Sequence, residues 1–245
     1  MSHTIYTAYA ALQSRGEALD VVSNNLANIH TPGFKEKQFH FRSLVGRMAS
    51  EMSGLGSAIS AQQVKTFTHS EFQPGVLTET GNPLDLALEG DGFFAVRTPD
   101  GTYYTRNGHF SLSPNGTLTT PDGYPVVSAA GRPIVLPDGR VEVSENGQIS
   151  VDGIQTAQLQ IVSFPDVRQL TPVGESLFSP PQGVQPLPPA RVAVLQGRLE
   201  ESNVDPLKNV ARMVALVRSF EMLTQAVRSL TRDIDGKLIN EVGRI

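Results

Sequence analysis

Five histidines, His3, His30, His40, His69 and His109, are the first candidates for chemistry in this chain of 245 residues. Two imidazoles at i and i+4 on a helix, with a glutamate beside them, would bind zinc, but no two of the five have that spacing. His69-Ser70-Glu71 is too short to define a site. Asp85, Glu89 and Asp91 form the densest acidic group. A carboxylate pair across a sugar-sized cleft could hydrolyse a glycoside, yet each of the three also suits a strand edge or a turn. Eight Asx-Gly dipeptides lie between 91 and 153. They would suggest calcium inside an Asp-x-Asp-x-Asp-Gly loop or a Gly-Gly-x-Gly-x-Asp repeat, and neither pattern occurs. There is no Gly-x-Ser-x-Gly elbow and no Walker loop. Gly90-Asp91-Gly92 lacks both the spacing and the lysine of a phosphate loop. With Cys 0, disulfides and thiolate chemistry are excluded. No catalytic, cofactor-binding or metal-binding residue is assigned, and the chain is expected not to be an enzyme.

The patterns with the clearest physical meaning are apolar seams at the two ends. Ile5, Leu12, Leu19 and Leu26 recur every seven residues, with Ala8, Val22 and Ile29 three positions after three of them. That spacing predicts a helix over the first ~28 residues with a coiled-coil seam. Arg15 and Gly16 interrupt the seam, and Pro32-Gly33 ends the helix. At the other end Asp205 is a natural N-cap and Pro206 a natural first helical residue. Met213, Phe220, Val227 and Ile234 make one row, and Leu216, Leu223 and Leu230 make a second. Together they predict a C-terminal helix with a strict heptad seam.

Between these ends the character changes. Asx-Gly supplies the two positive-φ residues of a type I′ hairpin turn, so all eight dipeptides are expected to be tight turns. The segments between them, such as Phe93–Val96 and Arg140–Val143, are strand-like, and Leu159–Phe164 alternates cleanly. Residues 46–60, rich in Gly, Ser and Ala, and residues 179–190, with five prolines, look like connectors. The predicted fold is α+β, with N- and C-terminal helices paired as a coiled coil and an inserted antiparallel β-rich domain. The expected divisions are 1–35 and 203–245 for the helical assembly domain, 36–74 and 191–202 for connectors, and 75–190 for the β body. A fragment of about 70–195 is expected to fold alone.

Net charge is −4, with the acidic excess in the middle of the chain, so a nucleic-acid footprint of clustered Lys and Arg is not expected. No run of 18 apolar residues exists to insert in a membrane, and the N-terminus lacks a Sec-type signal.

Residues 23–35, Ser-Asn-Asn-Leu-Ala-Asn-Ile-His-Thr-Pro-Gly-Phe-Lys, resemble the N-terminal signature of bacterial flagellar axial proteins, the rod and hook family. Three further blocks resemble the same family in the same order: Leu86–Val96, Tyr104–Phe110 and Leu195–Val204. Ile5–Ala8 and Arg218–Met222 are closer to the proximal than to the distal rod type, which carries Arg-Ala-Tyr-Glu where this chain has Arg218-Ser219-Phe220-Glu221. The resemblance implies a structural subunit of the basal-body rod, exported by the flagellar type III apparatus without a cleaved signal. Its implied partners are other rod proteins and copies of itself. It places Asn28, Thr31, Gly33 and Phe34 among the assembly residues, beside the seam residues named above. A distal rod protein, and a secreted enzyme acting on the cell wall, are the alternatives.

Overall fold

The computed structural model describes residues 2–44, 63–174, 176–189 and 191–242, so the Gly/Ser/Ala-rich stretch 46–60 lies outside the described residues. Two helices bracket a strand-rich middle: α1 spans Ser2–Ala27 and α2 spans Pro206–Val242. Among the described residues sixteen strands follow in chain order: β1 (Lys37–Leu44), β2 (Gln63–Ser70), β3 (Leu77–Glu79), β4 (Leu86–Gly90), β5 (Phe93–Thr98), β6 (Gly101–Thr105), β7 (Ser111–Leu112), β8 (Leu118–Thr119), β9 (Val141–Val143), β10 (Gln148–Val151), β11 (Ile154–Gln158), β12 (Ile161–Val162), β13 (Thr171–Val173), β14 (Leu177–Ser179), β15 (Val192–Gln196) and β16 (Arg198–Glu200). The α+β class is therefore observed. The chain forms two compact units. One comprises Met1–Leu26, Lys37–His69 and Asp205–Ile245; the other comprises Ala27–Glu36 and Ser70–Val204.

In the helical unit, α2 begins as its sequence dictates. The Asp205 carboxylate accepts a hydrogen bond from the Lys208 amide (3.1 Å), and Pro206 takes the first helical position, where no amide is required. The 37 residues of α2 extend about 55 Å at 1.5 Å each. The two helices meet through a small cluster of Ala18 and Val22 with Leu216, joined by Leu19, Met213 and Phe39 of β1. The buried row of α1 is Ser14, Ala18, Val22 and Asn25. That row follows the helical 3.6 period, and the heptad residues Leu12, Leu19 and Leu26 lie beside it, half-buried.

The strand-rich unit is built on β5. Its burial alternates into two clusters, because neighbouring strand residues point to opposite faces. Phe94 and Val96 enter a core with Phe110, Leu118, Ile134, Ile149 and Val194. Phe93 and Ala95 enter a second core with Tyr104, Val127, Phe164 and Phe178. The main sheet has the order β12-β5-β6-β14-β13, and a second has β11-β10-β9. The prolines of 180–189 carry the chain from β14 to β15 with a single bridge, Ser163 to Leu187. Leu159–Phe164 pairs only briefly, through β12 and bridges at Leu159 and Ser163.

The turns correct the type I′ expectation. Among the described residues Asp152 is the one non-glycine with positive φ, so Asp152-Gly153, between β10 and β11, is the single Asx-Gly pair with both residues left-handed. At Asn115-Gly116, Asp122-Gly123 and Asn146-Gly147 only the glycine is left-handed. There the glycine amide donates to the carbonyl three residues back, at Ser113, Thr120 and Ser144. The hydroxyl of that same Ser or Thr accepts from the residue after the glycine. The repeated element is thus Ser/Thr-x-Asx-Gly, in which the hydroxyl closes the turn and a preceding left-handed residue is not needed. Ser128–Arg132 makes the same turn without an Asx residue.

Candidate assembly site

The signature segment after α1 is held by polar contacts that its residue types allow. Asn25 is buried at the end of the helix. Its Nδ2 donates to the Lys37 carbonyl and its Oδ1 accepts from the Lys37 amide, both at 2.8 Å. One carboxamide thereby satisfies both main-chain groups of Lys37, as a neighbouring strand would. Its Nδ2 also reaches Asn209 Oδ1 of α2 at 3.4 Å. Asn209 itself donates to the Asp205 carbonyl.

In the strand-rich unit, the Thr31 amide and hydroxyl donate to the carbonyl and side chain of Asn28. Gly33, at φ +69°, donates to the Glu200 carbonyl, and a Cβ there would come within 2.3 Å of the Asn107 amide nitrogen. Glycine is required on both counts. Phe34 is fully buried.

Lys35 follows, 2% exposed, with Nζ donating to Glu200 Oε1 and to the Gln73 carbonyl. Glu200 Oε1 also accepts from the Gly75 amide at 2.9 Å. Glu200 Oε2 faces Arg106 Nη1 at 3.5 Å. Arg106 in turn donates to the Leu88 and Gly90 carbonyls, and its guanidinium lies 5.3 Å from the centre of the Phe93 ring. Burial lowers the Lys35 ammonium below the usual lysine range, against the opposing pull of the Glu200 carboxylate. Burial lowers Arg106 as well, with Glu200 and Asp91 opposing. Beside this cluster Asn203 accepts from the Glu36 amide (2.6 Å) and donates to the Glu71 and Gln73 carbonyls.

The residues named from the sequence are placed as follows. Asn28, Gly33 and Phe34 are buried in the strand-rich unit, with Thr31 half-buried among them. Leu216 is buried in the helical unit, while Met213, Leu223 and Val227 are half-buried and Phe220 is 37% exposed. Backbone positions of Ile5, Leu230 and Ile234 are helical, and their side chains lie outside the described residues. Lys35, Arg106, Glu200, Asn25, Asn203 and Asn209 were not on that list. Each sits inside or next to a quoted motif block or helix cap, which was the signal available. The acidic group does not converge: Asp85 is buried and bonded to His109 Nδ1 (2.7 Å) and Asn82, whereas Glu89 and Asp91 are exposed.

Three family descriptions match the chain in order. "Flagella basal body rod protein" covers residues 5–35, "Flagellar hook protein FlgE/F/G D1 domain" covers 87–151, and "Flagellar basal body rod FlgEFG protein C-terminal" covers 195–239. The chain is 31% identical over 238 residues to the flagellar basal-body rod protein FlgF of Mesorhizobium japonicum, covering 96% of each. It is 30% identical over 265 residues to the FlgG protein of Bacillus subtilis, covering 98% of this chain and 99% of that one. Against the FlgF protein of Escherichia coli it is 30% identical over 245 residues, covering 94% of each.

Proposed function

The chain belongs to the flagellar basal-body rod protein family, a structural subunit of the rod, and from that premise we propose that it is a proximal-type subunit packing through α1 and α2 against other rod proteins and copies of itself. The observation that carries the packing is on α2. Leu207 (83% exposed), Val210, Val214 and Val217 form an apolar stripe beside the Met213/Leu216 seam, with Met222 65% exposed further along. An exposed apolar stripe of that kind, beside a partly buried seam, marks an interaction face. Subunits joined head to tail through such faces, without ring closure, build an open helical tube. The half-buried leucines of α1 offer the second face. In this reading the α1–α2 contact continues as a coiled coil past Leu223 toward Leu230 and Ile234. The sequences at Ile5–Ala8 and Arg218–Met222 favour the proximal type. Within residues 1–35 and 203–245, the helices α1 and α2 are the assembly elements, and export proceeds through the flagellar type III apparatus.

Leu223 tests the packing. Leu223→Asp should abolish swimming while the strand-rich unit stays folded, because a charge in an assembled seam costs several kcal/mol. Normal swimming with the variant present in purified basal bodies would remove the seam from the proposal. Rod lengths in a strain lacking the gene separate the proximal from the distal type. N-terminal sequencing of subunits from basal bodies tests export without cleavage.

A further inference from the structure

We propose that the buried Lys35–Glu200–Arg106 cluster is a mechanical tie, which locks the segment leaving α1 and the segment leading to α2 into one fixed register on the strand-rich unit. The proposal rests on the rod-subunit reading, since a drive shaft must carry shear. Within this unit residues 33–36 run beside 200–203. They are joined by Gly33 to the Glu200 carbonyl, Lys35 to the Glu200 carboxylate, the Asn203 amide to the Phe34 carbonyl, and Glu36 to Asn203 Oδ1. The Glu200 carboxylate also holds Gly75, and Arg106 connects it to the β4 carbonyls of Leu88 and Gly90. Apolar contact is non-directional and tolerates sliding. Charge-assisted bonds are directional, so a buried network of them favours a single arrangement, although Arg106 Nε donates no hydrogen bond among the described residues. A slip of one residue between segments 33–36 and 200–203 would break together the four bonds that join them. A buried ion cluster adds little net stability over an apolar replacement, so its effect should appear in stiffness under load more than in thermal stability.

The experiment uses the full chain. In the wild-type monomer, amide hydrogen exchange at Gly33 and Gly75 should match the slowest amides of β5 and β6. Exchange at those two amides by local opening, while β5 and β6 stay protected, overturns the tie whatever the protein's role in the rod. The triple variant Lys35→Met, Arg106→Met, Glu200→Leu should keep the wild-type melting temperature or exceed it and should enter basal bodies. Cells carrying it should swim in dilute buffer and stop in viscous medium. Wild-type swimming in viscous medium also overturns the proposal. If the triple variant fails to fold, the exchange measurement alone decides. A strain lacking the gene, immotile in both media, tests the rod role separately.

Discussion

Removing one member of a buried ion cluster strands the others. Glu200 lies between Lys35 and Arg106 with almost no solvent access, so Glu200→Ala should lower the unfolding free energy of the full chain by about 3–5 kcal/mol in urea denaturation. A loss below about 1 kcal/mol would mean that both cations find other partners. Gly16 predicts the opposite sign. It lies within α1, and a Cβ built there meets nothing within 4 Å. Gly16→Ala should therefore stabilise the monomer by about 0.5–1 kcal/mol, read as a raised melting temperature. The two positions differ in how visible they were. Gly16 reads as a weak point of a helix from its type alone. Glu200 reads as an ordinary surface glutamate until the fold sets it against Lys35, 165 residues away.

The helices show how far a periodic pattern reaches. Asp205-Pro206 fixed the start of α2 because capping is a local interaction of adjacent residues. The Asp205 carboxyl is held below its ordinary value mainly by the Lys208 amide. A depressed folded value contributes stability that is present above the unfolded value near 3.8 and is lost as pH falls through the folded one. The melting-temperature advantage of the wild type over Asp205→Asn should thus be full at pH 7 and shrink as pH falls below the unfolded value of 3.8; an advantage undiminished in acid would assign it to something other than the charge. In α1 the leucine heptads were legible, but the buried row is Ser14, Ala18, Val22 and Asn25. Which of two adjacent stripes turns inward depends on what faces it, and the sequence of one helix does not carry that. Leu216 is the central member of the small helix cluster, and Leu216→Ala should cost about 2 kcal/mol, at the low end for a core leucine because few side chains surround it.

At the scale of the whole molecule, the strand-rich unit recruits residues from both sides of the helical unit's chain. Its parts are Ala27–Glu36 and Ser70–Val204. A fragment of 70–195 retains β5, β6 and both hydrophobic cores but lacks Glu200, leaving Arg106 buried without its carboxylate. It should give a β-type circular dichroism spectrum and melt below a fragment of 70–204. Equal melting temperatures would show that Arg106 gains nothing from Glu200 without Lys35. The edge of β9 carries a related device: the Gln196 side chain accepts from the Val143 amide and donates to the Val141 carbonyl, occupying bonds that another strand could take.

By itself the sequence determined the helical ends, the strand-rich middle, the cap at Asp205 and the positions of five of the eight Asx-Gly turns, those at 100, 115, 122, 146 and 152, because each depends on residues a few places apart. It also carried the family, through four short blocks. Tertiary structure alone decided which helix stripe is buried, which turns are type I′, and that Lys35, Arg106 and Glu200 share one site. The last of these depends on contacts between residues 94 and 165 positions apart. There the cost of burying charge decides the arrangement, and it becomes large only when the folded chain has excluded water from around it.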